Sequence, residues 1–245
     1  MVTLAVAWAT LASLGTALGT LVLAFATFAA VRSSNRSALI AEVALQEQRR
    51  PILVPSGLDD PVQKLNFADG HWISAEGGYS RADHIDDNVY LGISLRNVGS
   101  GIGVCQGWAV RAGQTLTSQM PTHMPDEQFR IQSRDLYIPG NGVGMWQGAI
   151  RNRDDAMRAA LARAIDEGAP ITIELLYSDL TGRQRAITRF GLLPFDPGTE
   201  DRRGNRFTAM SRVWFLDFDG PRPDSEDVNA RIEAIRAEIG TVPGQ

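Results

Sequence analysis

The chain has 245 residues, with 28 acidic against 24 basic side chains, a net charge of −4 and one cysteine, Cys105. Mild acidity excludes the basic face that a nucleic-acid binder presents, so no nucleic acid is expected as a partner. A lone cysteine excludes an intrachain disulfide and fits a reducing compartment.

The first 31 residues carry no Asp, Glu, Lys or Arg, and the first charged side chain is Arg32. A bilayer span takes roughly 20 apolar residues at ~1.5 Å each, so residues 1–31 read as a transmembrane helix. A cleaved signal peptide would open on positive charge and carry a shorter apolar core. Neither feature is present, although Ala24 and Ala26 offer an A-x-A pattern. Arg32, Arg36, Arg49 and Arg50 all lie on the C-terminal side of this segment. The positive-inside rule therefore puts the following domain in the cytoplasm. Gly15 and Gly19 form a GxxxG pair, with Ala9, Ser13 and Ala17 as a second row of small residues. Small residues let two backbones approach, which points to a homodimer through the membrane helix.

Residues 32–50 lack Gly and Pro and carry the i,i+4 apolar pairs Leu39/Val43 and Ile40/Ala44. They read as a juxtamembrane helical stalk that Pro51 ends. Asn35-Arg36-Ser37 is a glycosylation sequon by pattern only, given the cytoplasmic side expected for it.

From residue 51 the pattern turns to strands. Residues 52–54, 89–95, 104–110 and 145–150 read as strands by β-branched and aromatic content. The stretch 59–87 reads as one edge strand plus long loops. A helix is expected over 153–167, capped by Asn152 or Asp154, with Met157, Leu161, Ala164 and Ile165 on one face and Gly168 ending it. Residues 171–177, a turn at 179–182 and 184–192 form the clearest hairpin, and 207–218 a last strand region. Val228, Ile232, Ile235 and Ile239 then predict a C-terminal amphipathic helix. The organisation is a transmembrane helix (1–31), a stalk (32–50), a β-sandwich domain (51–222), and a C-terminal amphipathic helix and tail (223–245). Many short strands between Gly- and Pro-containing turns favour a mainly β sandwich over a βαβ fold.

Three segments together resemble a known group. They are Leu95-Arg96-Asn97-Val98-Gly99-Ser100-Gly101, Ile138-Pro139-Gly140, and the hairpin from Ile173 through Tyr177 and Asp179 to Gly182. They are similar to signatures of uncharacterised bacterial single-span membrane proteins with an immunoglobulin-like β-sandwich domain. The resemblance covers about half of the chain beyond the stalk. It implies an Ig-like sandwich, here with one inserted and one C-terminal helix, and no catalytic residues.

Candidate chemistry is sparse. Asp83, His84, Asp86 and Asp87 are the densest set of potential metal ligands, since carboxylates and imidazole can hold a divalent cation. A solvated acidic loop explains them as well; His71 and His123 lie elsewhere in the sequence. Asp217 and Asp219 flank Phe218 and would share one strand face. Gly99, Gly101 and Gly103 lead into a strand rather than a helix, which suits turns and not a phosphate cradle. Cys105 reads as a small buried hydrophobe. Arg183, Arg185 and Arg189, at even spacing, could face an anionic partner or lipid headgroups. Trp108, Trp146, Trp214, Phe190 and Phe215 read as core. No Walker, G-x-S-x-G, HExxH or paired CxxC sequence is present. The expected function is a membrane-anchored binding or scaffolding protein, partnered with the lipid bilayer, a second copy through Gly15 and Gly19, and a protein. It needs no cofactor and no catalytic site. The alternatives are a metal-dependent hydrolase using the 83–87 loop, or an accessory subunit of a membrane complex.

Overall fold

The structure, a computed structural model, describes residues 2–114, 120–195 and 204–217, with side chains described from residue 15 onward. The chain forms two compact units, Met1–Gln48 and Arg49–Gln245. The expected C-terminal helix over 223–245 lies outside the described residues.

The first unit is a single helix, α1 (Val2–Gln48). At ~1.5 Å per residue it is about 70 Å long, more than the ~30 Å hydrocarbon core of a bilayer. It is long and apolar enough to cross a membrane, and none of its apolar window from Gly15 is buried within the chain. Span and stalk are one uninterrupted helix, so no structural break falls at residue 31. Thr20 and Thr27 turn their hydroxyls back to the carbonyls of Thr16 and Leu23, at 2.8 and 2.7 Å. Each hydroxyl is thereby satisfied within the helix itself. An added Cβ on Gly15 or Gly19 would meet nothing within 4 Å.

The second unit is mainly β. Its strands are β1 (Leu53–Pro55), β2 (Gln63–Asn66), β3 (Trp72–Ala75), β4 (Tyr79–Ile85), β5 (Asn88–Asn97), β6 (Gly103–Ala112), β7 (Arg130–Ile138), β8 (Val143–Ile150), β9 (Ile171–Ser178), β10 (Arg185–Pro194) and β11 (Asn205–Phe215). One helix, α2 (Ala156–Asp166), lies between β8 and β9. Its cap is Asp155, whose carboxylate accepts from the Met157 amide, rather than Asn152 or Asp154. Gly168, at φ 68°, ends it as expected.

Nine strands make one antiparallel sheet in the order β1-β5-β4-β11-β10-β9-β6-β7, with β8 on the other edge of β5. The sheet curls into a half-barrel. Sequence reasoning expected two stacked sheets. Here the two halves are continuous, though they join through only three residue pairs between β4 and β11. The bridging strand β4 falls in the stretch expected to be mostly loop. Its sequence Tyr79-Ser80-Arg81-Ala82-Asp83-His84 carries little apolar alternation, because small Ser80 and Ala82 are its inward residues. The strand β7 was not predicted as a strand, since its middle, Gln132 to Asp135, is an unbroken polar run.

The concave side buries Leu91, Ile93 and Leu95 of β5, Trp108 of β6, Trp146 of β8, Ile173 and Leu175 of β9 and Phe190 of β10. Trp108 and Trp146 meet edge to face, 5.4 Å between centroids. A second cluster forms outside the sheet, where the β2–β3 hairpin lays Leu65, Phe67, Ile73 and Ala75 over Tyr90. Gly92 permits that approach, because a Cβ there would stand 2.8 Å from Leu65 and Ile73. The outer face of β9 and β10 carries a wholly buried ion pair, Arg189 with Glu174 at 2.6 Å. Arg189 also donates to the carbonyls of Met120 and Thr122, and Glu174 accepts from the Met124 amide.

Asn97 ties one end of the half-barrel together. Its side-chain oxygen accepts from the amides of Ile52 and Gly99, and its amide group donates to the carbonyls of Gly101 and Ile138. A Cβ on Gly99 would overlap the Arg50 carbonyl, and one on Gly101 the Arg49 carbonyl. The backbone has no flexible tip that can yield there. Overpacking of this kind costs about 1–3 kcal/mol, a fall of roughly 3–10 °C in Tm at this size. Gly99→Ala should therefore lower the thermal midpoint of the detergent-solubilised chain, followed by tryptophan fluorescence. Gly57→Ala, whose Cβ would meet Asp60 at an ordinary 3.5 Å, should not. Equal midpoints would show that the segment around Arg50 is free to shift.

Candidate binding groove at the open seam

The strands β7 and β8 are consecutive and joined by residues 139–142, yet they do not pair. Among the described residues β7 pairs only with β6, and β8 only with β5. At the turn end the two are held close. The Asn97 amide donates to Gly142, and the Asn141 amide donates to Gly99. Away from that end the strands part. The register between β6 and β7 shifts between Cys105 and Gly107, leaving residues 132–135 unopposed on β6. Side chains bridge the gap where backbone does not. Gln132 donates to the Gln147 carbonyl at 3.0 Å and accepts from the Trp146 indole at 3.1 Å.

A groove of about 500 Å³ occupies this seam. Its wall on one side is the 66–70 turn of the β2–β3 hairpin, on the other β7, and Trp108 of the core reaches it through the gap. Arg130, Arg134 and Arg151 line it, and no carboxylate does. Arg130 binds both oxygens of Asp155 at 2.9 and 2.8 Å and lies 5.1 Å from the Trp108 ring. Arg151 binds Asp69 at 2.7 Å and lies 5.6 Å from the Tyr90 ring. Arg134 is exposed on the rim, with no acidic partner among the described residues. Gln147 is 7% exposed. Its side-chain nitrogen donates to the Asn66 carbonyl, while its side-chain oxygen is buried with no hydrogen-bond partner. Such an orphan acceptor is costly and uncommon. Ile131, at the mouth, is 89% exposed.

The sequence-derived candidates do not converge. Asp86 and Asp87 are the two central residues of the β4–β5 hairpin turn, at φ 49° and 65°. Asp83 pairs with Arg81, His84 with Asp166, and Asp87 lies near Arg153 and Arg158. The His71 imidazole comes within 3.9 Å of Asp83, a proximity the sequence did not reveal. Among the described residues no three His, Cys, Asp or Glu side chains are grouped to hold a metal. Asp217 is bound by both terminal nitrogens of Arg50, at 2.6 and 2.8 Å, which holds its carboxyl below the usual range. Its expected companion Asp219 lies outside the described residues. The Cys105 thiol is buried, and burial pushes it up to about 12. Arg183, Arg185 and Arg189 do not share a wet face, because Arg189 is wholly buried against Glu174. Trp108, Trp146, Trp214 and Phe190 are core, as expected.

Sequence reasoning did not single out Arg130, Arg134, Gln147 or Arg151. Their spacing follows no motif, and only the curl of the sheet gathers them. The one available signal was the polar run Gln132 to Asp135 in the middle of β7, between apolar residues at either end.

The groove's carboxylate partners titrate abnormally. The hydrogen bond from Arg151 holds Asp69 far below the usual 3.8, against the opposing effect of burial. Burial would raise Asp155, but hydrogen bonds from Arg130 and the Met157 amide outweigh it and lower the group. A depressed folded pKa stabilises above the unfolded value and is lost as pH falls through the folded one. Tm should therefore stay level from pH 7 to about 5 and decline below about 4. Asp69→Asn should flatten part of that acid decline, while an identical decline in the variant would remove Asp69 as a contributor. No protein-family model matches the chain, and no curated protein matches it.

Proposed function

We propose that this chain is a membrane-anchored binding module. The helix α1 holds it in the bilayer, and the β half-barrel presents the open seam to a protein partner. One observation carries the reading: a groove in which a buried acceptor and an exposed arginine both lack partners among the described residues. Asp83, His84 and Asp87 are engaged in ion pairs, and Asp86 and Asp87 in a turn, which favours binding over a hydrolase at the 83–87 loop. The immunoglobulin-like kinship is supported by antiparallel pairing throughout and by the narrow β4–β11 join, which leaves two nearly separate halves facing one core. The motif residues 97–101, 138–140 and 179–182 all fall on turns or strand ends at one end of the sheet.

Positive charge at Arg32, Arg36, Arg49 and Arg50 supports a cytoplasmic domain. Gly15 and Gly19 support a homodimer through α1, since nothing in the chain covers them. A cytoplasm-dependent reporter fused after Gln245 should be active, and activity only of a periplasm-dependent reporter would reverse the orientation. For the binding role, a photo-crosslinking amino acid replaces Ile131 in cells. One defined membrane or cytoplasmic protein should be captured there and not from a matched probe at Leu58, another exposed apolar side chain. No specific adduct at any exposed position of the half-barrel would end the reading.

A further inference from the structure

We propose that the seam takes an extended acidic peptide segment, which adds as a strand along the free edge of β7. This rests on the binding-module reading and names the chemistry of the partner. The edge comes first. Strand addition needs a run of backbone groups that no neighbouring strand occupies. Among the described residues β7 offers one on the side facing β8. The groove-lining part of that edge, Arg130 to Arg134, is five residues, about 17 Å at ~3.3 Å each, which sets the length of the added strand.

Charge selects what enters. Three guanidinium groups line the groove without a lining carboxylate. Asp155 and Asp69 neutralise Arg130 and Arg151 from behind. Arg134 remains, so the groove has room for one acidic side chain with bidentate geometry. Charged residues on an edge strand also deter aggregation, and that alone would account for Arg134. It does not account for Gln147. A buried oxygen without a donor can take an N–H or O–H from outside. A peptide amide supplies one, whereas a fully ionised phosphate or carboxylate has none to give. Ile131 then stands beside the added strand as an apolar contact for a side chain on the same face. An extended segment meets all of these demands at once: free edge, orphan acceptor, unpaired cation and exposed isoleucine.

The test uses the full chain in lipid nanodiscs. The probes are a capped heptapeptide alternating valine and glutamate, its valine–lysine counterpart, the glutamate peptide with alternate amides N-methylated, and inorganic phosphate. Binding is read by fluorescence anisotropy of labelled peptide, and for phosphate by competition. The glutamate peptide should bind at least about tenfold more tightly than the lysine peptide, and Arg134→Glu should reverse that order. N-methylation should abolish binding, since strand addition depends on main-chain hydrogen bonds. Gln147→Met should weaken binding about fivefold, measured at a temperature where tryptophan fluorescence shows the variant folded, because its melting temperature falls with the loss of the donor to the Asn66 carbonyl. The proposal is overturned by absence of binding up to millimolar peptide, by equal binding of the N-methylated peptide, or by phosphate displacing the peptide at equal concentration. Partner capture at Ile131 alongside any of those outcomes would keep the binding module and discard the strand-addition chemistry.

Discussion

Asn97 is the constraint on which the half-barrel depends. One buried side chain satisfies four backbone groups from three separate segments: the chain ahead of β1, the turn after β5, and the end of β7. No apolar residue of that size can replace it, because each partner would become a buried, unpaired polar group at ~1–3 kcal/mol apiece. The glycines beside it follow from the same geometry. With Asn97 drawing the turn against residues 49–51, there is space for backbone alone. The motif 95–101 is thus a clamp on the way residues 49–52 join the sheet. It also closes one end of the β7–β8 seam, and so decides which end opens.

The outer face of the sheet has its own polar core. Arg189 and Glu174 sit opposite each other on β10 and β9, both wholly buried. Taking two charges out of water is expensive, and such a pair often contributes little net stability over an apolar replacement. Its geometry here is specific, however. The remaining donors and acceptors reach Met120, Thr122 and Met124, and Trp214 lies 4.8 Å from the guanidinium. The pair thereby fixes a non-strand segment over the sheet with defined backbone partners, where apolar contacts alone would leave its position loose.

Much of this was legible in the letters. The uncharged opening run announced α1, and alternating β-branched residues announced β5, β6, β8, β9 and β10 within a residue or two. Gly182 and Gly168 marked their turns because both need positive φ. What failed had a common cause. The strands β2 and β3 are four residues each, β4 turns small Ser80 and Ala82 inward, and β7 carries an unbroken polar run from Gln132 to Asp135, so none shows the sustained apolar period that reveals a strand. Arg189 looked like a wet cation because spacing along one strand says nothing about a segment folded over it from residues 120–124. The groove was beyond reach for a related reason. It is made by the gap between two neighbouring strands that decline to pair, and no local pattern encodes a missing ladder.

The burial of Cys105 has a practical corollary. Its thiol lies inside the β6–β9 interface and stays protonated at any pH at which maleimide chemistry is run. The native chain is accordingly a silent background for cysteine-directed labels. Two cysteines introduced on either side of the seam can carry a pair of spin labels without prior removal of the natural one, so distances across the seam can be followed in otherwise unaltered protein.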